Sequence, residues 1–262
     1  MLTLRIVSAV VGAPLVLLAT WLGGWLLLGL VALLLCVACI ELMSLMKQPR
    51  PPRVLVLTGG LILLAGAYLA EGNHFPGSAV VLFLVLCLVS LVLFYPRFSP
   101  QACAATVFTT LYPGLLIYLY LLRLLPDGWT WALFALVTTW AFDSTAYLVG
   151  KWWGRRQMTP ALSPGKTIEG FCGGVAGSLL AAFVFHLFCP APAVWVWLVL
   201  GGMVAVAAQL GDLVSSVVKR FADTKDAGSL IPGHGGVLDR FDSILLTAPL
   251  VYHAVQIFGG GG

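Results

Sequence analysis

Ser216–Asp242 reads SVVKRFADTKDAGSLIPGHGGVLDRFD; it overlaps the end of one apolar run, Val199–Val218, and leads into another, Ile244–Phe258. The stretch holds Lys219, Arg220, Asp223, Lys225, Asp226, Asp239, Arg240 and Asp242, eight of the chain's charged side chains, and His234 besides. A polar island between two runs of membrane length must face water or line a cavity, because lipid cannot solvate it. The reading is therefore an all-α, polytopic integral membrane protein with a polar loop tied between helices.

Composition agrees. The chain has 262 residues, is 60% hydrophobic and only 9% charged, with a mean hydropathy of +1.02. A soluble domain is about a quarter charged. The length suggests one membrane domain over 1–262, with 1–125 mainly scaffold and 126–262 holding the candidate site residues taken up below. The net charge of +4 is spread among loops and does not point to nucleic acid. Cys36 and Cys39 are spaced C-x-x-C, but inside an apolar run and without partner residues elsewhere. Buried small apolar residues are the better reading than a zinc or redox pair. No cleavage site stands out after the first apolar run, so no removable signal peptide is expected.

About 20 apolar residues cross a bilayer. Nine candidate helices emerge: Ile6–Leu22, Trp25–Leu45, Val54–Ala70, Ser78–Tyr95, Ala104–Leu122, Trp129–Val149, Phe171–Phe188, Ala193–Val218 and Phe241–Phe258. With the N-terminus inside and the C-terminus outside, thirteen of the fourteen Lys and Arg residues fall on the cytoplasmic side, and only Arg123 falls outside. The Ser216–Asp242 loop then faces the cytoplasm. Glu41, a carboxylate in the second helix, reads as a snorkelling or hydrogen-bonded structural residue.

The polar loop has the chemistry of an anion and metal site. Lys219, Arg220, Lys225 and Arg240 suit phosphate oxygens. Gly233, Gly235 and Gly236 around His234 let backbone N–H groups approach a ligand. Asp239 and Asp242 share a face if the helix has begun, and could hold a hard cation. A solvated loop with structural ion pairs is the plainer reading of the cations alone; carboxylates running into an apolar helix beside glycines favour function.

Further polar groups sit within helices. Asp143 lies in the sixth, about two turns from its end, with Tyr147 one turn on. An ionisable group at that depth marks a functional site by default, the plainer alternative being a partner for a nearby Lys or Arg. Asp212 in the eighth heads a polar stripe with Ser215, Ser216 and Lys219. Between them, Ser163-Pro-Gly-Lys-Thr-Ile-Glu-Gly170 contains Gly-Lys-Thr, yet it is no phosphate-binding P-loop: position 160, where the motif needs glycine, is Pro160. Lys166 and Thr167 beside a helix start suit phosphate; alternatively Thr167 is an ordinary cap, with Glu169 favouring the helix dipole. Gly170, Gly173, Gly174 and Gly177 give small-xxx-small spacing for close packing, within one chain or across a homodimer.

The loop resembles the signature of the phosphatidate cytidylyltransferases (CDP-diacylglycerol synthases). Ser216, Lys219-Arg220, Lys225-Asp226, Pro232, His234-Gly235-Gly236, Asp239-Arg240 and Asp242 fill its fixed positions across 27 residues without a gap. Ser163–Gly170 resembles a second block of the family, and Asp143 with Tyr147 and Gly150 its sixth-helix pattern. The resemblance implies transfer of a cytidylyl group from CTP to phosphatidic acid at the inner face of a bacterial cytoplasmic membrane. It implies Mg²⁺, with a second cation left open, held among Asp143, Asp212, Asp239 and Asp242. Lys219 and Arg220 would act on the reacting phosphates together with these carboxylates. Ser163, Lys166, Thr167, Lys225, Arg240, Tyr147, His234, Gly235 and Gly236 would bind substrate. Three rival readings stand beside it. An ion- or proton-coupled transporter would need charged groups on both halves of the membrane. A CDP-alcohol phosphotransferase would need glycine where Ser243 stands. A cytidylyltransferase for another lipid phosphate would share the chemistry.

Overall fold

The computed structural model describes residues 2–70, 77–228 and 235–259. In order come α1 (Leu2–Leu22), α2 (Gly24–Leu45), α3 (Arg53–Tyr68), α4 (Gly77–Leu93), α5 (Pro100–Gly114), α6 (Ile117–Leu124), α7 (Gly128–Trp153), β1 (Gln157–Thr159), β2 (Ser163–Thr167), α8 (Ile168–Phe188), α9 (Val194–Phe221) and α10 (Leu238–Gly259). Among the described residues six segments are long and apolar enough to cross a membrane, with α5 and α6 together forming one; Gly12–Leu22, Arg53–Tyr68 and Gly77–Leu93 are shorter apolar helices. Val92, Trp25, Leu61 and Phe188 stand exposed on helix faces. Exposed apolar surface on this scale suits lipid rather than water. The protein is an all-α polytopic membrane protein.

Three local features depart from the sequence reading. The predicted helix Ala104–Leu122 starts earlier and is broken. Ser99 caps it, its Oγ accepting from Ala102 N–H at 3.2 Å, and Pro100 occupies the first turn. Pro113 has no N–H to donate, and the chain turns through Leu115 and Leu116 before α6. The stretch read as a loop before the seventh predicted helix folds as an antiparallel hairpin, with Gln157 opposite Thr167 and Thr159 opposite Ser163. Finally, α7 runs on to Trp153, which puts Asp143 about three turns, not two, from its end at 3.6 residues per turn.

The chain divides into two compact units, Met1–Pro126 with Phe221–Phe241, and Asp127–Arg220 with Asp242–Gly262. In the first, Phe83, Cys87, Phe98, Ala102 and Cys103 form a buried core. Gly59 lets α3 approach this core: a Cβ there would overlap the Phe83 ring and sit 2.8 Å from the Thr110 methyl. Arg123, the basic residue expected outside, donates from Nε to the Thr20 carbonyl at 3.1 Å and from a terminal nitrogen to the Trp21 carbonyl at 3.4 Å. It satisfies the last carbonyls of α1, where a cation also complements the helix dipole.

In the second unit α7 and α8 pack antiparallel along the predicted glycines. A Cβ on Gly173 would strike Val149 at 2.5 Å, one on Gly174 the Phe142 ring at 2.5 Å, and one on Gly177 the Thr145 hydroxyl. The small-residue spacing is thus used within one chain. Phe142 also packs on Ala205 and Ala208 of α9. Trp131, Phe134, Phe185 and Trp197 stack where α7, α8 and α9 meet, with the Trp131 and Trp197 rings 4.9 Å apart. Ser178 Oγ donates to the Gly201 carbonyl at 2.8 Å, tying α8 to α9. Thr139 and Thr247 pair through their hydroxyls at 2.9 Å, tying α7 to α10.

Candidate functional site

Three helices of the second unit each bring one carboxylate to a shared neighbourhood: Asp143 on α7, Asp212 on α9 and Asp242 on α10. Each of these carboxylates lies within electrostatic range of the others. Asp242 is buried. Asp143 is exposed, with the Ser243 hydroxyl of α10 against it. Ser243 orders the group: its Oγ donates to Asp143 Oδ1 at 3.3 Å and its N–H to Asp242 Oδ1 at 2.9 Å. The close approach that permits this comes from Gly211, whose absent Cβ would overlap the Asp242 carbonyl and lie 3.0 Å from Ser243 Cα.

Two cations belong to the same neighbourhood. Lys166 on β2 places Nζ 2.6 Å from Asp212 Oδ2. The approach lies outside hydrogen-bonding angles, so the two are held by charge rather than by a directed bond. Lys166 also lies in range of Asp143, and Lys219 in range of Asp242.

The hairpin that carries Lys166 is anchored at both ends. Thr167 Oγ1 accepts from Gly170 N–H at 3.1 Å and so caps α8, as the plainer reading of that residue expected. The Glu169 carboxylate accepts from the N–H groups of Arg155 and Arg156 at 3.0 and 3.2 Å. Arg220 Nε donates to the Leu162 carbonyl at 3.1 Å. A Cβ on Gly154 would overlap the Gly150 carbonyl and meet the Thr167 hydroxyl at 2.8 Å, so the chain turns tightly beneath the cap. Ser163 starts β2, half-buried. Tyr147 is exposed, with Lys151 Nζ 5.8 Å from its ring centre.

The first unit holds the rest of the polar loop. Asp239 opens α10 and accepts through one oxygen, Oδ2, from Ala227 N–H at 2.7 Å and Gly236 N–H at 3.0 Å. The carboxylate staples the two ends of the loop together, and the Gly236 N–H, expected to face a ligand, is given to it. Gly235 is left-handed, with φ +80°, and a Cβ there would lie 2.7 Å from Asp239 Oδ2; glycine is required on both counts. Lys225, Asp226 and Arg240 are exposed. Pro232 and His234 fall outside the described residues.

Two side chains, Glu41 of α2 and Lys47 just past its end, complete this unit, and their distant partners are not visible in the sequence. Glu41 is buried and accepts from Val237 N–H and Leu238 N–H, each at 2.9 Å. It is hydrogen-bonded and structural, as expected, but its partners are in the signature itself. Lys47 Nζ donates to Asp223 Oδ2 at 2.7 Å. That hydrogen bond, with the lysine charge behind it, holds the Asp223 carboxyl below the usual carboxylate range.

The donor set suits a hard divalent cation. Asp143, Asp212 and Asp242 offer oxygen only, the kind of ligand Mg²⁺ takes, and their mutual repulsion would be relieved by a shared positive charge. Among the described residues no three such side chains converge on one point as they stand; Asp212 is turned toward Lys166.

Fold and side chains define a polytopic membrane protein with an ionic centre assembled from helices that are otherwise apolar. Residues 3–258 match the sequence pattern of the Cytidylyltransferase family. The chain belongs to that family, and so to the nucleotidyl-transferring enzymes. It is 36% identical to a phosphatidate cytidylyltransferase of Bacillus subtilis over 85% of this chain and 86% of that one. It is 35% identical to one of Staphylococcus epidermidis over 94% and 96%, and 34% identical to one of Synechocystis over 97% of each.

Proposed function

We propose that the protein transfers the cytidylyl group of CTP to phosphatidic acid, giving CDP-diacylglycerol and pyrophosphate. The observation that carries this reading is the ionic centre of Asp143, Asp212, Asp242, Lys166 and Lys219, in a chain that matches enzymes of that name along most of its length. In the reaction a phosphate oxygen of the lipid attacks the α-phosphorus of CTP. One P–O bond forms there, the bond to the β-phosphate oxygen breaks, and pyrophosphate leaves with that electron pair. The nucleophile is already anionic, so no strong base is needed. The work is to bring two anions together and to neutralise charge as it moves to the leaving group.

Lys166 and Lys219 supply fixed positive charge for this, and Arg220, Lys225 and Arg240 add phosphate contacts. Ser163, Thr167, Tyr147 and the His234-Gly235-Gly236 segment complete substrate binding in this reading. Asp143, Asp212 and Asp242 would hold Mg²⁺, with Asp239 as a further ligand. Bound there, the ion would offset charge on the α-phosphate and the pyrophosphate. Lys166, 2.6 Å from Asp212 Oδ2, would set a positive charge beside the carboxylates where phosphate is to bind. The reading places the site at the cytoplasmic face of a bacterial inner membrane, with the lipid entering sideways between helices.

Label transfer tests it. Purified protein in detergent receives CTP labelled at the α-phosphate, phosphatidic acid and Mg²⁺. Chloroform-soluble label that requires the lipid, the metal and Asp212 supports the proposal. Folded protein that labels no lipid phosphate would remove it and revive the transporter reading, to be tested by flux in liposomes.

A further inference from the structure

The geometry points to Glu41 as a positioning residue for the nucleotide half of the reaction: a side chain of α2 that sets the start of α10 and, with it, the glycine segment before Asp239. This rests on the proposed use of CTP.

The argument begins with the unpaired N–H groups at the start of any helix, which must find acceptors when buried. α10 begins at Leu238 with no Ser, Thr, Asn or Asp just before it; the preceding residues are Gly235, Gly236 and Val237. The acceptors come from 196 and 197 residues away: Glu41 takes the N–H groups of Val237 and Leu238. Hydrogen bonds to a charged acceptor are about twice as strong as neutral ones, and this pair is buried.

The fit is close on both sides of the loop. A Cβ on Gly236 would lie 2.5 Å from Glu41 Oε2, and one on Gly228 would lie 2.7 Å from Oε1. Both glycines are spaces kept for this carboxylate. The signature segment therefore meets Glu41 at 228, at 236 and at 237–238. The very next residue, Asp239, accepts from Ala227 and Gly236, so Glu41 and Asp239 hold adjoining residues of the same backbone segment. Lys47, six residues after Glu41 in sequence, pins Asp223 at the loop's other end. That pair is exposed and contributes little alone; the buried Glu41 is the determinant.

A carboxylate in this position acts on the reaction without touching substrate. Its loss frees two N–H groups and lets the Gly235-Gly236 segment move relative to Asp239. Displacement of a binding segment by about 1 Å can cost on the order of a hundredfold in rate. The change would fall on the substrate this segment meets.

Two measurements on the full-length protein in detergent test this. In Glu41→Gln, which keeps the shape but turns an acceptor into a donor facing an N–H, the KM for CTP should rise about tenfold. The KM for phosphatidic acid should stay within about twofold, and the melting temperature should fall by a few degrees, because one buried N–H loses its acceptor. Hydrogen exchange of the Val237 and Leu238 amides should quicken by tenfold or more. Equal rises in both KM values, or a lower melting temperature with both KM values unchanged, would reduce Glu41 to general support and overturn the inference. If the variant does not fold, the wild-type exchange decides: amides at 237 and 238 that exchange at the rate of free chain mean that no clamp exists, and protected ones that slow further with CTP uphold it. Wild-type protein that ignores CTP altogether refutes the proposed function instead, and leaves the exchange test of the clamp intact.

Discussion

Substituting Gly211 by Ala tests how α9 and α10 bring their carboxylates together. On an open helix this change stabilises by about 1 kcal/mol, because glycine has the greater freedom to lose. Gly202, in the same helix, is such a case, with nothing within 4 Å of a Cβ. At Gly211 the new methyl would overlap the Asp242 carbonyl and lie 3.0 Å from Ser243 Cα. These are backbone atoms of another helix and cannot rotate aside, so the helices must part. Overpacking of that kind costs about 1–3 kcal/mol, which outweighs the gain. With about 2–4 °C per kcal/mol for a chain of this size, Gly211→Ala should melt several degrees below wild type, and Gly202→Ala a few degrees above. Activity should diverge further. Asp242 moves with its helix, and a shift approaching 1 Å in a reacting site costs about 10–100-fold, so Gly211→Ala should lose that much kcat while Gly202→Ala keeps it. The assays are thermal unfolding in detergent and label transfer from CTP to lipid. A Gly211→Ala protein that melts at or above wild type would refute the account of the α9–α10 contact.

Other perturbations separate the remaining parts. Lys166→Gln removes the cation 2.6 Å from Asp212 and should lower label transfer by about a hundredfold or more, within the range for lost electrostatic stabilisation; near-normal turnover would take Lys166 out of the mechanism. Asp239→Asn retains an oxygen for the Ala227 and Gly236 N–H groups but loses the charge. It should melt near wild type while both activity and Mg²⁺ dependence collapse, and unchanged Mg²⁺ dependence would leave Asp239 a purely structural staple. Thr167→Val deletes the cap on Gly170 and should destabilise by about 1 kcal/mol, with Thr167→Ser close to wild type; equal melting of all three would show that the cap carries no weight. The carboxyl of Asp223 is held low by Lys47. Its contribution is therefore full above the unfolded value of about 3.9 and fades as pH falls through the lower folded value. The acid limb of the stability curve should be shallower in Asp223→Asn, and identical limbs would argue against the pair.

The helices were legible because lipid imposes one rule on long stretches of chain: every apolar run from Trp25 to Phe258 announces itself. Gly173, Gly174 and Gly177 were legible for a related reason, since helix packing has a period. Short-range irregularity was harder. Pro113-Gly114 parts α5 from α6; the dipeptide is a turn signal, but the unbroken hydropathy around it reads as one continuous span. The hairpin strands are three and five residues long and carry no alternation. Least legible were partners separated by much of the chain. Glu41 looked like an isolated carboxylate in an apolar helix. Its reason lies at Val237 and Leu238, and the only trace in the sequence was a helix start that lacks its own cap. Of the four aspartates singled out in the sequence, Asp143, Asp212 and Asp242 lie near one another, while the Asp239 carboxylate is turned to the Ala227 and Gly236 N–H groups, a partner choice that spacing along the chain does not encode.

The seam between α7 and α8 has a consequence for how much change this chain can tolerate. At Gly173 and Gly174 a single added carbon would meet side chains of α7, and at Gly170 it would meet the Ala146 carbonyl. On the same helix, Leu180, Leu187 and Phe188 are exposed and can be exchanged for any residue that lipid accepts. A saturation library of residues 168–188 would therefore show two kinds of position side by side. One stripe recurs every three to four residues and rejects even alanine; the next is almost indifferent to size. Neutral drift in this helix is confined to its outer face, and its inner face offers no gradual route to a larger side chain unless α7 changes with it.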